Sequence, residues 1–394
     1  MNRAHFLRTG AATAPAAGVA GTPLKLEPWM RQRGNPTPPY GSPSVFERGA
    51  VRTSTDWFTT ARTPLAEQHG IITASGLCFT RNHAGIPQID PRTHRLLVHG
   101  LTDRALVFSV DDVMRLPSVS RIHFIECSGN SGAEWHGPAG TTVAETHGLV
   151  SCCEWTGVPL SVLFDEVGIR PDARWFVAEG ADGAAFDRSI PLENARDALL
   201  VYAQNGERLR PEQGFPLRLL IPGFEGSANV KWLRRLKLTR EPVYSREETA
   251  RYTDLMPDGR ARAFTFVMEA KSVIVRPSGG QLLQTRGFHE IAGFAWSGRG
   301  RITGVDVSTD GGVRWSAARL SEPVLPKALT RFTLPWKWSG DEAVLQSRAR
   351  DESGYVQPTR RQLVAARGTE SYYHFNGIQS WRVATTGHVT NVQA

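Results

Sequence analysis

Arg121-Ile-His-Phe-Ile-Glu-Cys127-Ser-Gly129-Asn130-Ser-Gly132 is the stretch on which the reading turns. Ile122 to Glu126 reads as a strand that delivers Cys127 into a loop with two glycines. Glycine permits tight turns at positive φ and close approach of backbone to a ligand. A thiolate in such a loop can serve as a nucleophile or as a ligand for a soft metal. It can equally be an inert buried thiol, the commoner fate of a lone cysteine. No Cys/His/Asn protease signature surrounds it, which favours the metal over the nucleophile.

Outward from this loop, strands and short helices alternate. Leu96 to Leu101, Trp175 to Ala178 and Leu217 to Ile221 read as strands. Ser109 to Leu116 reads as a helix capped by Ser109 and stopped by Pro117. Ser161 to Val167 reads as a second capped helix, closed by Gly168. Beyond about Phe264 the character changes. Val273 to Val275, Phe288 to Trp296, Ile302 to Ser308 and Val344 to Arg350 read as short strands separated by turns. Asp310-Gly311-Gly312 is a hairpin signal between Val305–Ser308 and Val313–Ser316. The pattern predicts an α+β domain over 57–262 and a β-sandwich over 263–394.

Length and composition agree with two domains. The chain has 394 residues, 40% apolar and 21% charged, which is ordinary globular usage. It has no apolar run long enough for a membrane-spanning helix. The net charge of +8 suits anionic partners, or simply a solvated basic surface. No nucleic-acid motif accompanies it. The four cysteines, Cys78, Cys127, Cys152 and Cys153, form neither a disulfide scaffold nor a C-x-x-C zinc pair. Adjacent Cys152 and Cys153 read as buried and inert. His136, His147 and His374 lack metal-ligand spacing and read as structural.

Two further stretches supply cations. Phe79-Thr80-Arg81-Asn82-His83 offers a guanidinium fork suited to an anion or phosphate. Pro211 to Arg218, followed by Asn229-Val230-Lys231-Trp232-Leu233, adds cations and amide donors near a strand.

Glu126 to Asn130, Phe79 to His83, Asn229 to Leu233 and Gly354-Tyr-Val-Gln-Pro358 together resemble the sulfite oxidase family of molybdenum enzymes. Thr146-His-Gly-Leu149, Glu154 to Leu160, Tyr252-Thr-Asp-Leu-Met-Pro-Asp-Gly259 and Ile378-Gln-Ser-Trp381 resemble its sulfane dehydrogenase (SoxC-type) branch of bacterial sulfur oxidation. The resemblance runs from about residue 45 to the end. It implies a mixed α/β molybdopterin domain followed by an immunoglobulin-like β-sandwich that forms a homodimer. It implies Cys127 as the protein thiolate on molybdenum. It further implies Phe79, Thr80, Arg81, Asn82, His83, Asp182, Arg218, Asn229, Val230 and Lys231 as molybdopterin contacts. Arg81, Tyr252 and Arg367 match the substrate-pocket positions. A compact sulfur oxyanion suits converging arginines, and a phenol such as Tyr252 can steer a proton.

Two departures stand out. Sulfite oxidases carry basic residues directly after the Cys-x-Gly-Asn turn, where this chain has Ser131 and Gly132. Gln213 stands where animal relatives have a pterin-binding histidine. Both suit a substrate presented on a protein arm. The resemblance therefore implies molybdenum-dependent oxidation of sulfane sulfur bound to a carrier protein, with free sulfite as the alternative substrate. A lesser alternative is a non-catalytic binding or assembly protein. No haem-attachment C-x-x-C-H is present, so electrons are expected to leave through a c-type cytochrome subunit.

The chain starts Met1-Asn-Arg-Ala-His-Phe-Leu-Arg8, followed by small residues from Gly10 to Gly21. This resembles a degenerate twin-arginine export signal, with Ala4 in place of the second arginine. With the Pro-rich stretch to residue 56 it forms an expected signal and arm. The expected location is the periplasm, with the cytoplasm as alternative.

Overall fold

A computed structural model describes residues 25–47 and 49–393. The export-signal stretch lies outside the described residues. Two compact units are distinguished, Met1–Arg48 and Gly49–Ala394. Among the described residues of the first, a 3-10 turn spans Pro28–Arg31. A proline at its first turn fits, since that position has no helical partner for an N–H.

The second unit is built on four principal sheets. Strand Val119–Glu126 pairs antiparallel with Val150–Pro159, placing Phe124 opposite Cys152 and Glu126 opposite Val150. Leu199–Gln204 continues that sheet and pairs with Glu207–Arg208 and Arg218–Leu220. A second five-stranded sheet runs Leu106–Ser109, Arg95–Gly100, Leu233–Thr239, Trp175–Gly180, Asp187–Pro191. Its one parallel pair joins Arg95–Gly100 to Leu233–Thr239. The predicted strands are therefore present, with Val119–Glu126 three residues longer at its start than the sequence pattern marks.

Both predicted helices form, with one difference at a cap. Ser109 caps Val110–Arg115 in a reciprocal capping box with Asp112. Leu160–Val167 begins one residue before Ser161, and Pro159 occupies its N-cap without a side-chain bond. What holds that helix is its inner face. Leu160, Leu163, Phe164 and Val167 recur at helical spacing and are all buried. Gly168, at φ 65°, ends it.

From Lys271 onward the structure is a sandwich. One sheet runs Lys271–Arg276, Gly287–Trp296, Thr330–Trp338, Arg319–Leu320. The other runs Ser316–Ala317, Ile302–Ser308, Ala343–Asp351, Ser380–Val383, Val389–Val392. The Asp310-Gly311-Gly312 turn joins Ile302–Ser308 to Ser316–Ala317, with both glycines at positive φ. Asp310 accepts bonds from the Ser308 hydroxyl and the Arg314 amide, which closes the turn. Val273, Phe294, Trp296, Phe332, Leu345 and Trp381 fill the sandwich core. That core is continuous with Phe124 and Cys152. The strand that ends at Cys127 is thus packed directly against the sandwich.

Candidate active site

Cys127 sits where the strand Val119–Glu126 runs out. Its amide donates to the Leu149 carbonyl at 2.9 Å, and its carbonyl accepts from Asn130 at 2.9 Å. Ser131 takes a left-handed φ of 65° to turn the loop. A β-carbon on Gly132 would stand 2.3 Å from the Tyr372 carbonyl oxygen. A side chain at residue 132 therefore has no room. The backbone of the segment around Tyr372 occupies its place.

The loop is braced from below. Glu126 is fully buried and accepts from Lys271 Nζ at 2.9 Å, Asn130 Nδ2 at 2.9 Å and Trp296 Nε1 at 2.7 Å. Lys271, 1% exposed, also donates to the Asn130 carbonyl at 3.3 Å. Lysine and tryptophan come from the sandwich, glutamate and asparagine from the cysteine loop. A buried ion pair is tolerated only with its remaining bonds satisfied, and here they are.

Cys127 opens into a cavity that communicates with solvent. Every sequence-nominated site residue except Arg367 lines it. Phe79, Thr80, Arg81, Asn82 and His83 form one wall, held by Phe79 N donating to Ser151 Oγ at 2.9 Å and Asn82 N to the Thr59 carbonyl at 2.8 Å. Asp182, Arg218, Asn229, Val230 and Lys231 form the facing wall, and Tyr252 closes one side. The Asn229 side chain is committed to its own loop, accepting from Ile221 N at 2.7 Å and donating to the Glu225 carbonyl at 2.9 Å. It lines the wall while bracing that loop.

The cavity is cationic. Burial, then Arg218, pushes the Lys231 ammonium well below its ordinary pKa. Its Nζ bonds Asn82 Oδ1 and lies 4.5 Å from the Trp232 ring. Burial lowers Arg218 to about 10. Its Nη1 donates to Gln213 Oε1 at 3.2 Å, and its guanidinium lies over Trp155 at 5.4 Å. Gln213 in turn donates to the Phe79 carbonyl at 2.9 Å, so the glutamine that replaces the expected histidine ties the two walls together. Burial, followed by Arg81, lowers His83 to about 4. The neutral imidazole meets the Tyr252 hydroxyl at 3.0 Å. Burial, then Cys127 and Glu225, holds the Tyr252 phenol well above its usual range. Burial also raises the Cys127 thiol.

Arg367, expected in the substrate pocket, does not line this cavity. It is ion-paired with Asp254 and donates to the His374 carbonyl at 3.2 Å. Its side chain is buried, with Nη2 on the carboxylate and Nε left without a partner. Another arginine stands nearer. Arg188, 1% exposed, lies 5.0 Å from the Tyr252 ring and pairs with Glu225 at 2.9 Å. It also donates to Ser227 Oγ at 2.5 Å, a cavity-lining group. Burial alone would raise Glu225, but Arg188 and then His374 bring it down to about 2. His374, read as structural, faces that carboxylate at 3.3 Å. Phe186 stacks on His83 at 4.8 Å and Tyr373 packs on Tyr252 at 5.2 Å, completing an aromatic rim. Arg188, Phe186 and Tyr373 carry no local motif.

The residues fit an anionic pterin with a soft metal. A thiol faces a cleft lined by Arg81, Arg218 and Lys231, and Arg218 Nε is buried there with no partner of its own. Residues 83–247 match the oxidoreductase molybdopterin binding domain, and residues 262–380 the Mo-co oxidoreductase dimerisation domain. The solved sulfane dehydrogenase SoxCD of Paracoccus pantotrophus is 46% identical, covering 95% of this chain and 100% of that chain at a TM-score of 0.92. The chain belongs to the sulfite oxidase family of molybdenum enzymes. Within this family, mouse mitochondrial sulfite oxidase is 33% identical over 73% of the chain and 58% of its own length. An NADH nitrate reductase of Arabidopsis thaliana is 30% identical over 75% of the chain and 37% of its own length. The chain thus spans just over half of the first relative and little more than a third of the second. As a molybdopterin oxidoreductase it uses molybdenum carried on molybdopterin. Among the described residues no helix is long and apolar enough to cross a membrane.

Proposed function

We propose that this chain is the molybdenum subunit of a sulfane dehydrogenase. Its substrate is sulfane sulfur carried on a cysteine of a carrier protein, and its electrons pass to a c-type cytochrome subunit. The observation that carries this reading is the likeness to SoxCD over 95% of the chain, at 46% identity. The cleft supports it. Residue 132 has no room for a basic side chain, and Arg367 pairs with Asp254. The rim is aromatic instead, formed by Tyr252, Phe186 and Tyr373. Such a rim accepts a neutral, extended arm.

When bound, the molybdenum–molybdopterin group supplies two-electron oxidation of sulfur. The chain holds and orients it. Cys127 is the thiolate ligand, once its buried proton is released. Arg218 and Lys231 neutralise the pterin phosphate, with Phe79 to His83, Asp182 and Val230 shaping the seat. Arg81 orients the sulfur group. Tyr252 holds a proton at its hydroxyl and exchanges it with His83, 3.0 Å away. Division of the chain near residue 262, a homodimer formed by the sandwich and a periplasmic location belong to the same proposal.

The test is cytochrome c reduction by the molybdenum-loaded chain. Expected is little reduction with free sulfite and rapid reduction with a peptide bearing a cysteine persulfide. Brisk reduction with sulfite alone overturns the carrier reading and makes the chain a sulfite dehydrogenase.

A further inference from the structure

Two cysteines outside the site's chemistry meet beneath it. Cys78 precedes the wall Phe79 to His83, and Cys153 lies on the central strand Val150–Pro159. They are 75 residues apart in sequence, yet their sulfurs stand 3.2 Å from each other. Both are essentially buried, at 1% and 0% exposure. Their surroundings treat them as a unit. Gln204 Nε2 reaches Cys78 Sγ at 3.2 Å and Cys153 Sγ at 3.0 Å, and the Thr73 carbonyl faces both thiols at 3.8 and 3.7 Å. Among the described residues no group of three or more His, Cys, Asp or Glu side chains is placed to hold a metal ion. The pair is therefore no part of a thiolate metal site. Cys152, its neighbour in sequence, points to the opposite face of the strand and packs into the sandwich-side core.

We propose that Cys78 and Cys153 close to a disulfide that pins the cofactor-facing segment Phe79 to His83 to the central strand. Bond formation needs the sulfurs to move from 3.2 Å to about 2.05 Å. Cys78 lines the cavity, whereas Cys153 lies behind it. Cys78 is accordingly the entry thiol and Cys153 the resolving one. The oxidant is a small disulfide such as oxidised glutathione. The Cys78 thiolate attacks one of its sulfurs, giving a mixed disulfide and one glutathione thiolate. The Cys153 thiolate then displaces the second glutathione. Two protons pass from the cysteines to the two departing thiolates, and the glutathione disulfide takes up the two electrons. The route to Cys78 runs through the cofactor cavity, so closure precedes cofactor insertion. The inference stands on the sulfur geometry and is independent of the substrate.

The test is thiol mapping on the full chain. The protein is purified without reductant, trapped in acid, alkylated after unfolding, digested and mapped by mass. The same chain is then reduced, unfolded and refolded across a series of reduced-to-oxidised glutathione ratios, which removes any barrier of access. Expected is a linked Cys78–Cys153 peptide that grows with oxidation while Cys127 and Cys152 stay alkylatable. Reductant should lower the melting temperature of the oxidised chain by about 5–10 °C, and a Cys153→Ser variant should not respond to reductant. Four fully alkylatable cysteines in the refolded chain at every ratio overturn the proposal. So does a link that involves Cys127 or Cys152 instead.

Discussion

Cys127 and its supports are separable by substitution. Its side chain faces the cavity and its backbone is held by Leu149 and Asn130. A serine keeps the loop's hydrogen bonds and removes the soft ligand. Cys127→Ser should therefore abolish turnover and deplete bound molybdenum while leaving the thermal unfolding curve nearly unchanged. Retained turnover with metal in place would sink the ligand assignment. Arg188 illustrates the opposite kind of residue. It touches Tyr252 through its guanidinium and Glu225 through an ion pair, but no motif announces it. Its position follows from the pairing of Asp187–Pro191 with Trp175–Gly180, which places Arg188 opposite Ala178.

The cysteine loop and the segment around Tyr372 form one interlocked pair. Gly132 allows the Tyr372 carbonyl to approach to 2.3 Å of where a β-carbon would stand. The His374 amide then donates to the Ser128 carbonyl at 2.7 Å. Gly132→Ala forces these backbones apart. We expect a loss of roughly 1–3 kcal/mol in chemical denaturation, with faster proteolysis near residues 369–375. An unchanged denaturation midpoint would show that the loop relaxes without displacing that segment. Elements of this size were legible in the chain where their determinants are local. The Ser109–Asp112 capping box and the Asp310-Gly-Gly turn each lie within a few residues. The Ser161 cap did not hold, because burial of the helix face, set by distant neighbours, decided where that helix begins.

The sandwich and the cavity-lining sheets are joined beneath Cys127 by Glu126, Lys271 and Trp296. Removing one partner of a buried pair leaves an uncompensated charge, at a cost of about 3–5 kcal/mol. Lys271→Met should show that loss in urea unfolding, and adding Glu126→Gln should recover much of it. Additive losses would argue that the pair is not coupled. Acid should also loosen the fold before carboxylates titrate. Burial holds His123 at about 4 and His83 at about 4, both below the unfolded value near 6.5. Groups with depressed values bind fewer protons folded than unfolded. Their stabilisation is present above about pH 6.5 and is lost as pH falls toward 4. The melting temperature should therefore fall from pH 7 to pH 5. His123→Gln should remove about 1.4 kcal/mol per pH unit of that slope. An identical slope in the variant would refute the assignment to His123.

Short-range chemistry made the strands, the capped helix at Ser109, the glycine-turned cysteine loop and the family motifs readable along the chain. Each depends on residues within one turn or one strand of each other. Packing alone decided the rest. Arg367 was drawn to Asp254, 113 residues away, rather than to the cavity. Arg188 was brought to Tyr252 by a sheet edge. Cys153 found Cys78 rather than its neighbour Cys152, because successive side chains on a strand face opposite sides. Such choices are made by burial and charge pairing between segments far apart in sequence, where no local pattern encodes which partner will be met.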